Sequence, residues 1–219
     1  MKREVLVRSS ESCIEFTLGD AFSSFYHHYD KIKTGGEFMK KISQQIYVRA
    51  LTEEDAQPLL TLELENRSYF QQFTPLVKDD FFTLSRQIER IQRSVERCAK
   101  DEAYMHGIFL NETDDLIGTI SLSSVVRGPV EGAWLGYVLD EKHGGKGYMT
   151  EAIRLIIDYA FDELHLHRIE AGVKPSNIGS IRVLEKTGFE NEGLNRKKVK
   201  INGVWEDHYL FAIIHPDES

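Results

Sequence analysis

From Ile46 onward apolar residues recur with two spacings, every second position in some stretches and every third or fourth in others, and each change of spacing marks a change of element. Ile46-Tyr47-Val48-Arg49-Ala50 reads as a strand. Thr52-Glu53-Glu54-Asp55 then opens a helix with a capping side chain and an acidic first turn, and Leu59, Leu60, Leu62 and Leu64 carry it to about Asn66. A second helix is expected over residues 81–100, with Leu84, Ile88, Ile91 and Val95 on one face and Arg86, Arg90, Arg93 and Arg97 along another. Glu89 and Glu96 are interleaved with those arginines, so the basic face reads as solvated and ion-paired rather than as a nucleic-acid surface. Residues 104–110 and 116–122 read as strands joined by the polar turn at 111–115, an antiparallel hairpin.

A third strand, 133–139, follows the Gly128-Pro129 turn, and after it come a helix over 147–163, a strand over 168–173 and a short helix over 177–186. Strands near 188–190, at 196–201 and at 204–214 complete the order β-α-α-β-β-β-α-β-α-β-β. Early hairpins with later crossover helices imply a mixed α/β (α+β) fold, a largely antiparallel sheet carrying helices, with the first two helices packed beside it as a hairpin.

The most informative stretch is where the 133–139 strand ends. His143-Gly144-Gly145-Lys146-Gly147-Tyr148-Met149 breaks it with glycines and opens directly into a helix patterned Ile153, Ile156, Ile157, Ala160 and Phe161. Glycines let backbone N–H groups point inward at a bound group, and a helix N-terminus adds free donors and positive potential, so the loop suits a phosphate or pyrophosphate. Two familiar phosphate loops fail on spacing. The nucleoside-triphosphate loop requires a hydroxyl residue after its lysine, and Gly147 follows Lys146; the dinucleotide fingerprint requires a third glycine where Thr150 stands.

Composition narrows the classes. The chain has 219 residues, 41% of them hydrophobic and 28% charged, enough for one soluble domain or a domain with an appendage. A formal net charge of −8 argues against direct nucleic-acid binding; it would suit a basic partner, but an acidic surface that only keeps the protein soluble is the commoner case. Only Cys13 and Cys98 are present, without zinc or disulfide spacing, and no metal site is suggested. No apolar run approaches the ~20 residues that span a bilayer, and the N-terminus lacks the apolar core of a secretion signal, so no membrane association and a cytoplasmic location are expected. Residues 1–38 read differently from the rest. They contain a possible strand within 4–18, a possible short helix over 21–29, and adjacent His27 and His28 with no metal-ligating partner; Met39-Lys40-Lys41 then looks like a natural start. Residues 1–38 are therefore expected to be an extension outside the functional domain.

The order of elements, together with Leu135-Gly136-Tyr137, Gly145-Lys146-Gly147-Tyr148, Asn177-Ile178-Gly179-Ser180-Ile181-Arg182 and 185–193, resembles the GNAT superfamily of acetyl-CoA-dependent N-acetyltransferases over residues 46–214. With Asn202-Gly203-Val204-Trp205-Glu206-Asp207-His208 it is most similar to the subgroup that acetylates the N-terminal alanine or serine of ribosomal proteins. The resemblance implies acetyl-CoA as co-substrate, no metal, a central pair of splayed strands, and a monomer or dimer. It implies that Gly144, Gly145, Lys146, Gly147, Tyr148 and Met149 wrap the pyrophosphate. The family pattern at this loop is Gln or Arg, two residues, Gly, one residue, then Gly or Ala; Gly144 and Met149 depart from it and Gly147 matches.

On the same resemblance Tyr137, Val138 and Leu139 lie beside the pantetheine arm, with the Val138 N–H donating to the thioester oxygen. Asn177 contacts that arm, and Ser180 sits near the sulfur as a proton donor to the leaving thiolate; Asn177 also reads as a helix N-cap with Ser180 in the first turn. The glutamate that many relatives carry just before the Leu-Gly-Tyr strand is replaced by Trp134, which suggests a stacking wall, with Glu131 nearby in the preceding turn. Asp207 and His208 are the alternative bases, and ordered water is a third, because an α-amino group of pKa about 7.7–8.0 is partly neutral at cell pH whereas a lysine at about 10.4 is not. The expected activity is direct acetyl transfer to the N-terminal Ala or Ser of a ribosomal protein. A small-amine acceptor (polyamine, antibiotic or amino acid) and a non-catalytic acetyl-CoA-binding module are the alternatives.

Overall fold

The computed structural model describes residues 40–216. The expectations for residues 1–38, including the strand, the short helix and the His27–His28 pair, lie outside the described residues, as does Cys13. Eight strands form one sheet in the order β1-β2-β3-β4-β5-β6-β8-β7. They are β1 (Lys41–Ile42), β2 (Ile46–Ala50), β3 (Ala103–Leu110), β4 (Leu116–Val126), β5 (Gly132–Leu139), β6 (Arg168–Val173), β7 (Glu190–Ile201) and β8 (Val204–Ile214). Every neighbouring pair is antiparallel except β5–β6. The helices are α1 (Ala56–Glu65), α2 (Arg67–Phe70), α3 (Leu84–Ala99), α4 (Tyr148–Asp158) and α5 (Ile178–Lys186). The mixed sheet and its crossover helices are those the periodicity implies.

Strand alternation divides the side chains between two faces. Tyr47, Phe109 and Val138 turn to one face, where Leu59, Leu62, Phe70 and Ile91 of the first three helices join them in a cluster. Tyr104 and His106 of β3 turn to the other and meet Tyr159 edge-on at 5.8 and 5.6 Å. Ala152, Ile153 and Ile156 of α4 are at most 1% exposed and fill that second layer. Burial pushes the His106 imidazole down to about 4, and its Nδ1 has no hydrogen-bond partner among the described residues.

Four details depart from expectation. The strands placed at 188–190 and 196–201 are one strand, β7, whose register with β8 shifts between Asn191 and Gly193 and again between Asn195 and Val199. The second shift is held by Asp207, whose Oδ1 accepts the Lys197 N–H at 2.8 Å; a bulge breaks the alternating pattern without ending the strand. The helix expected to run to Glu163 leaves α-geometry at Tyr159 and finishes as a π-turn over Tyr159–Glu163. The arginine face is ion-paired, but largely with other elements: Arg86 meets Glu89, whereas Arg90 reaches Glu63 of α1 at 2.6 Å and Arg97 approaches Glu102 at 3.7 Å. The two-residue β1 and the one-turn α2 are additional elements.

Candidate active site

β5 is the axis of the site. Its ladder with β6 has three rungs, Gly132↔Arg168, Ala133↔Ile169 and Trp134↔Glu170, while β6 stays paired with β8 through Val173↔Tyr209. Past Trp134 the two strands separate, leaving an unpaired edge on each. Which groups face that opening follows from the other side of β5. The Asp140 N–H donates to the Ile117 carbonyl at 2.8 Å, and the register runs unbroken to Ser123↔Trp134, so the backbone groups of Val138, Gly136 and Trp134 point at β4. Ser121 Oγ and Ser123 Oγ, both 3.4 Å from the carbonyls of Gly136 and Trp134, mark the same direction.

The expected Val138 donor is therefore corrected: its N–H is directed at Thr119 of β4, and its side chain packs on the helical cluster. The first N–H on the open edge beyond the last rung belongs to Tyr137, and the next to Leu139.

The turn after β5 supplies backbone donors. Gly145 and Gly147 have φ of +75° and +92°, values that side-chain-bearing residues adopt only with strain, and they alternate with Lys146 in a concave run of amides. A Cβ at either glycine would meet nothing within 4 Å, so conformation and not space demands glycine there. Gly147 is the N-cap of α4, and the first helical bond runs from the Glu151 N–H to the Gly147 carbonyl. The N–H groups of Tyr148, Met149 and Thr150 thus precede the helical ladder and remain available to an anion. Lys146 is exposed beside them. The Met149 side chain is 6% exposed and belongs to the core, so only its backbone can face the loop. Gly144, extended and unstrained, leads into the turn.

Across the opening, Asn177 caps α5: its Oδ1 accepts the Ser180 N–H at 3.1 Å. The capping role anticipated for it is realised, and because the cap uses Oδ1, the Nδ2 donors are left for another partner. Ser180 Oγ lies 2.6 Å from the Tyr137 hydroxyl, so the strand and helix flanking the opening are joined side chain to side chain. Desolvation pushes the Tyr137 phenol up to about 12.

Asp207 and His208 are neighbours on β8 and so face opposite ways. Asp207 holds the β7 bulge, whereas His208 is 5% exposed and its ring lies 3.9 Å from where a Gly172 Cβ would stand. The Trp134 ring is 3.7 Å from that same point, with Lys198 Nζ 5.7 Å from its centroid. His208 Nδ1 is 3.2 Å from the Glu206 carbonyl, which can only accept, so Nδ1 donates there and Nε2 is the ring nitrogen left for another group. Trp134, Gly136, Gly172 and His208 therefore share the face opposite Tyr137. On that side Asn202, in the β7–β8 turn, donates to the Gln71 carbonyl at 3.1 Å and links the turn to the segment after α2. Glu131 is engaged in its own turn, accepting the Gly128 N–H at 2.8 Å.

An opened strand pair leading into an amide-lined turn at a helix N-terminus is the geometry of a site for a long, phosphate-bearing cofactor. The family model described as "Acetyltransferase (GNAT) domain" matches residues 45–190. This chain belongs to the GNAT acetyltransferase family. Among GNAT relatives it is 56% identical over 174 residues to a probable N-acetyltransferase of Bacillus subtilis, YjcK, covering 80% of this chain and 96% of that protein. It is 33% identical to the [ribosomal protein uS5]-alanine N-acetyltransferase of Escherichia coli, over 80% of this chain and 90% of that one. The crystal structure of a ribosomal-protein-S5-alanine acetyltransferase from Vibrio fischeri superposes with a TM-score of 0.79 at 32% identity, covering 83% of this chain and 99% of the other.

One contact at the GNAT turn had no signal in the sequence. Asn66, 4% exposed between α1 and α2, accepts the Glu141 N–H at 3.0 Å through Oδ1 and donates Nδ2 to the Leu62 carbonyl. It fixes the start of the amide-lined turn from 75 residues away. A lone Asn after a leucine-rich helix reads only as a helix terminus.

Proposed function

We propose that this N-acetyltransferase moves the acetyl group of acetyl-CoA directly onto the α-amino group of a protein N-terminus, alanine or serine on a ribosomal protein, in the cytoplasm. The observation that carries the reading is the parting of β5 from β6 immediately past Trp134↔Glu170, at the start of the edge that runs into the Gly145–Gly147 turn. The pyrophosphate fits the amides of that turn with Lys146 as its counter-charge. The pantetheine arm then lies along the Tyr137–Leu139 edge, within reach of Asn177 Nδ2.

On the opposite face His208 Nε2 takes a proton from the incoming amine, directly or through water, beside the Trp134 wall. The nitrogen attacks the thioester carbonyl, whose oxygen gains negative charge and is received by the Tyr137 N–H in place of Val138. As the C–S bond breaks, the electron pair leaves with sulfur, and Ser180 Oγ–H supplies the proton; solvent restores Ser180 and takes the proton held by His208. An α-amine suits this reading better than a lysine does, because it ionises near neutrality and is partly neutral before any base acts. The 33% identity to a relative named for alanine N-acetylation supports the acceptor class.

The test is thiol release from acetyl-CoA with Ala- and Ser-starting peptides, the same peptides blocked at the N-terminus, polyamines, aminoglycosides and free amino acids. Turnover confined to free peptide N-termini is expected. Turnover of blocked lysine-containing peptides or of small amines alone would overturn the acceptor, and cofactor binding without any turnover would overturn the transfer.

A further inference from the structure

We propose that the Tyr137 side chain is a positioning residue for proton delivery to the leaving thiolate: its hydroxyl donates to Ser180 Oγ and so turns the serine's own hydrogen toward the cofactor sulfur. The proposal rests on the role given to Ser180 above, and the tyrosine hydroxyl acts through that serine. A serine hydroxyl is a rotor with one hydrogen and two acceptor lone pairs. Left to itself it can aim its hydrogen at the helix, at solvent or at the sulfur, and only the last is productive. The Tyr137 phenol has two acceptors within reach, Ser180 Oγ at 2.6 Å and the Ser180 carbonyl at 3.5 Å, and the shorter contact decides where its hydrogen goes. A hydrogen bond received at Oγ occupies one lone pair and directs the serine O–H away from the tyrosine.

The backbone is fixed as well, since the Asn177 cap holds the Ser180 N–H. One residue on each side of Ser180 therefore sets its place and its rotation. Ser180 gives up the proton to sulfur and is reprotonated from solvent. The same Tyr137 presents its N–H to the open edge, so the alignment of the serine is tied mechanically to the edge along which the thioester lies.

The experiment is a double-mutant cycle with Tyr137→Phe and Ser180→Ala, using whichever acceptor in the panel the wild-type protein turns over fastest, so that an error over the acceptor leaves the test intact. Acetyl-CoA dissociation constants and melting curves are measured alongside, to separate loss of alignment from loss of binding or folding. S180A is expected to lower kcat roughly 100-fold, the low end for a lost general acid. Y137F should lower it about 10-fold, the order of one hydrogen bond, with the acetyl-CoA dissociation constant unchanged within about 2-fold. The double variant should be no slower than S180A, because with no hydroxyl there is nothing to orient. An equal further loss from Y137F in the S180A background would overturn the proposal and assign Tyr137 to packing, as would a Y137F defect confined to KM. If S180A alone leaves kcat intact, the role given to Ser180 fails first and the proposal falls with it.

Discussion

The two sides of β5 are made of different material. On the open edge most of the outward-facing groups belong to the main chain, namely the Tyr137 and Leu139 N–H groups, the left-handed glycines 145 and 147, and the first amides of α4, with Asn177 and Ser180 added from the start of α5. On the opposite face the groups are side chains gathered from separate strands, with Trp134 from β5 and His208 from β8 meeting over Gly172 of β6. A backbone site specifies a common cofactor and leaves a local trace in sequence, because it needs glycine at given positions. A side-chain site can specify a particular acceptor, and its members can come from anywhere in the chain.

Substitutions should separate the sides. On the function proposed above, His208→Gln removes the base from the Trp134 face, and kcat is expected to fall about 100-fold with acetyl-CoA affinity unchanged within about 2-fold. Isothermal titration with acetyl-CoA alongside initial rates distinguishes this from a general loss; a parallel loss of cofactor binding would merge the two sides. His106 offers a control that should affect both together, because it lies in the core of β3. Its imidazole is neutral when folded, ionising only near 4, whereas the unfolded chain takes up the proton near 6.5. The unfolded state thus binds more protons as pH falls between these values, and stability present above pH 6.5 is lost on the way down to 4. Urea unfolding at pH 7.5 and 5.0 should differ by about 2 kcal/mol from this group, and His106→Gln should remove that part of the dependence.

Gly147→Val forces a β-branched residue to φ of +92° and should weaken acetyl-CoA binding about 10-fold, measured by titration, while the acceptor KM stays put. Asn66→Ala leaves the Glu141 N–H without its partner and is expected to raise the acetyl-CoA dissociation constant about 5-fold. The smallest effect belongs to Cys98, whose thiol burial pushes up and so keeps protonated; Cys98→Ser, combined with Cys13→Ser, should change kcat less than about 2-fold, in line with direct transfer. A large loss there would point to an acyl-enzyme.

Most of the fold was readable because each element carries its own period: β2 and β6 span the residues expected for them, and the Asn177 cap starts α5 where the pattern changes, whereas α3, expected from residue 81, begins at Leu84 behind the Thr83 cap. β7 was read as two strands because its bulges place successive residues out of alternation, and the bond that stabilises the second bulge comes from Asp207 on the next strand. The amide-lined turn showed in the sequence through its glycines. Val138 was the wrong donor because apolar character reveals that a residue lies on a strand but not which edge its N–H faces; that depends on the register with β4, a relation between segments. Asn66 and the Tyr137–Ser180 bond were invisible for the same reason, each joining residues dozens of positions apart.

Alternation along β5 gives the protein two independently adjustable sets of residues. Even-numbered positions 134, 136 and 138 share the face that carries Trp134, and odd-numbered 135, 137 and 139 share the other. On the function proposed above, substitution at 134 and 136 can retune acceptor selection while the main-chain edge stays as it is, so selection, natural or in the laboratory, can change what is acetylated without rebuilding how the acetyl donor is held; Val138 belongs to the core and is not free to vary in this way. Deleting one residue between Trp134 and Val138 would do the reverse, exchanging the faces of everything beyond it and disabling both sets at once.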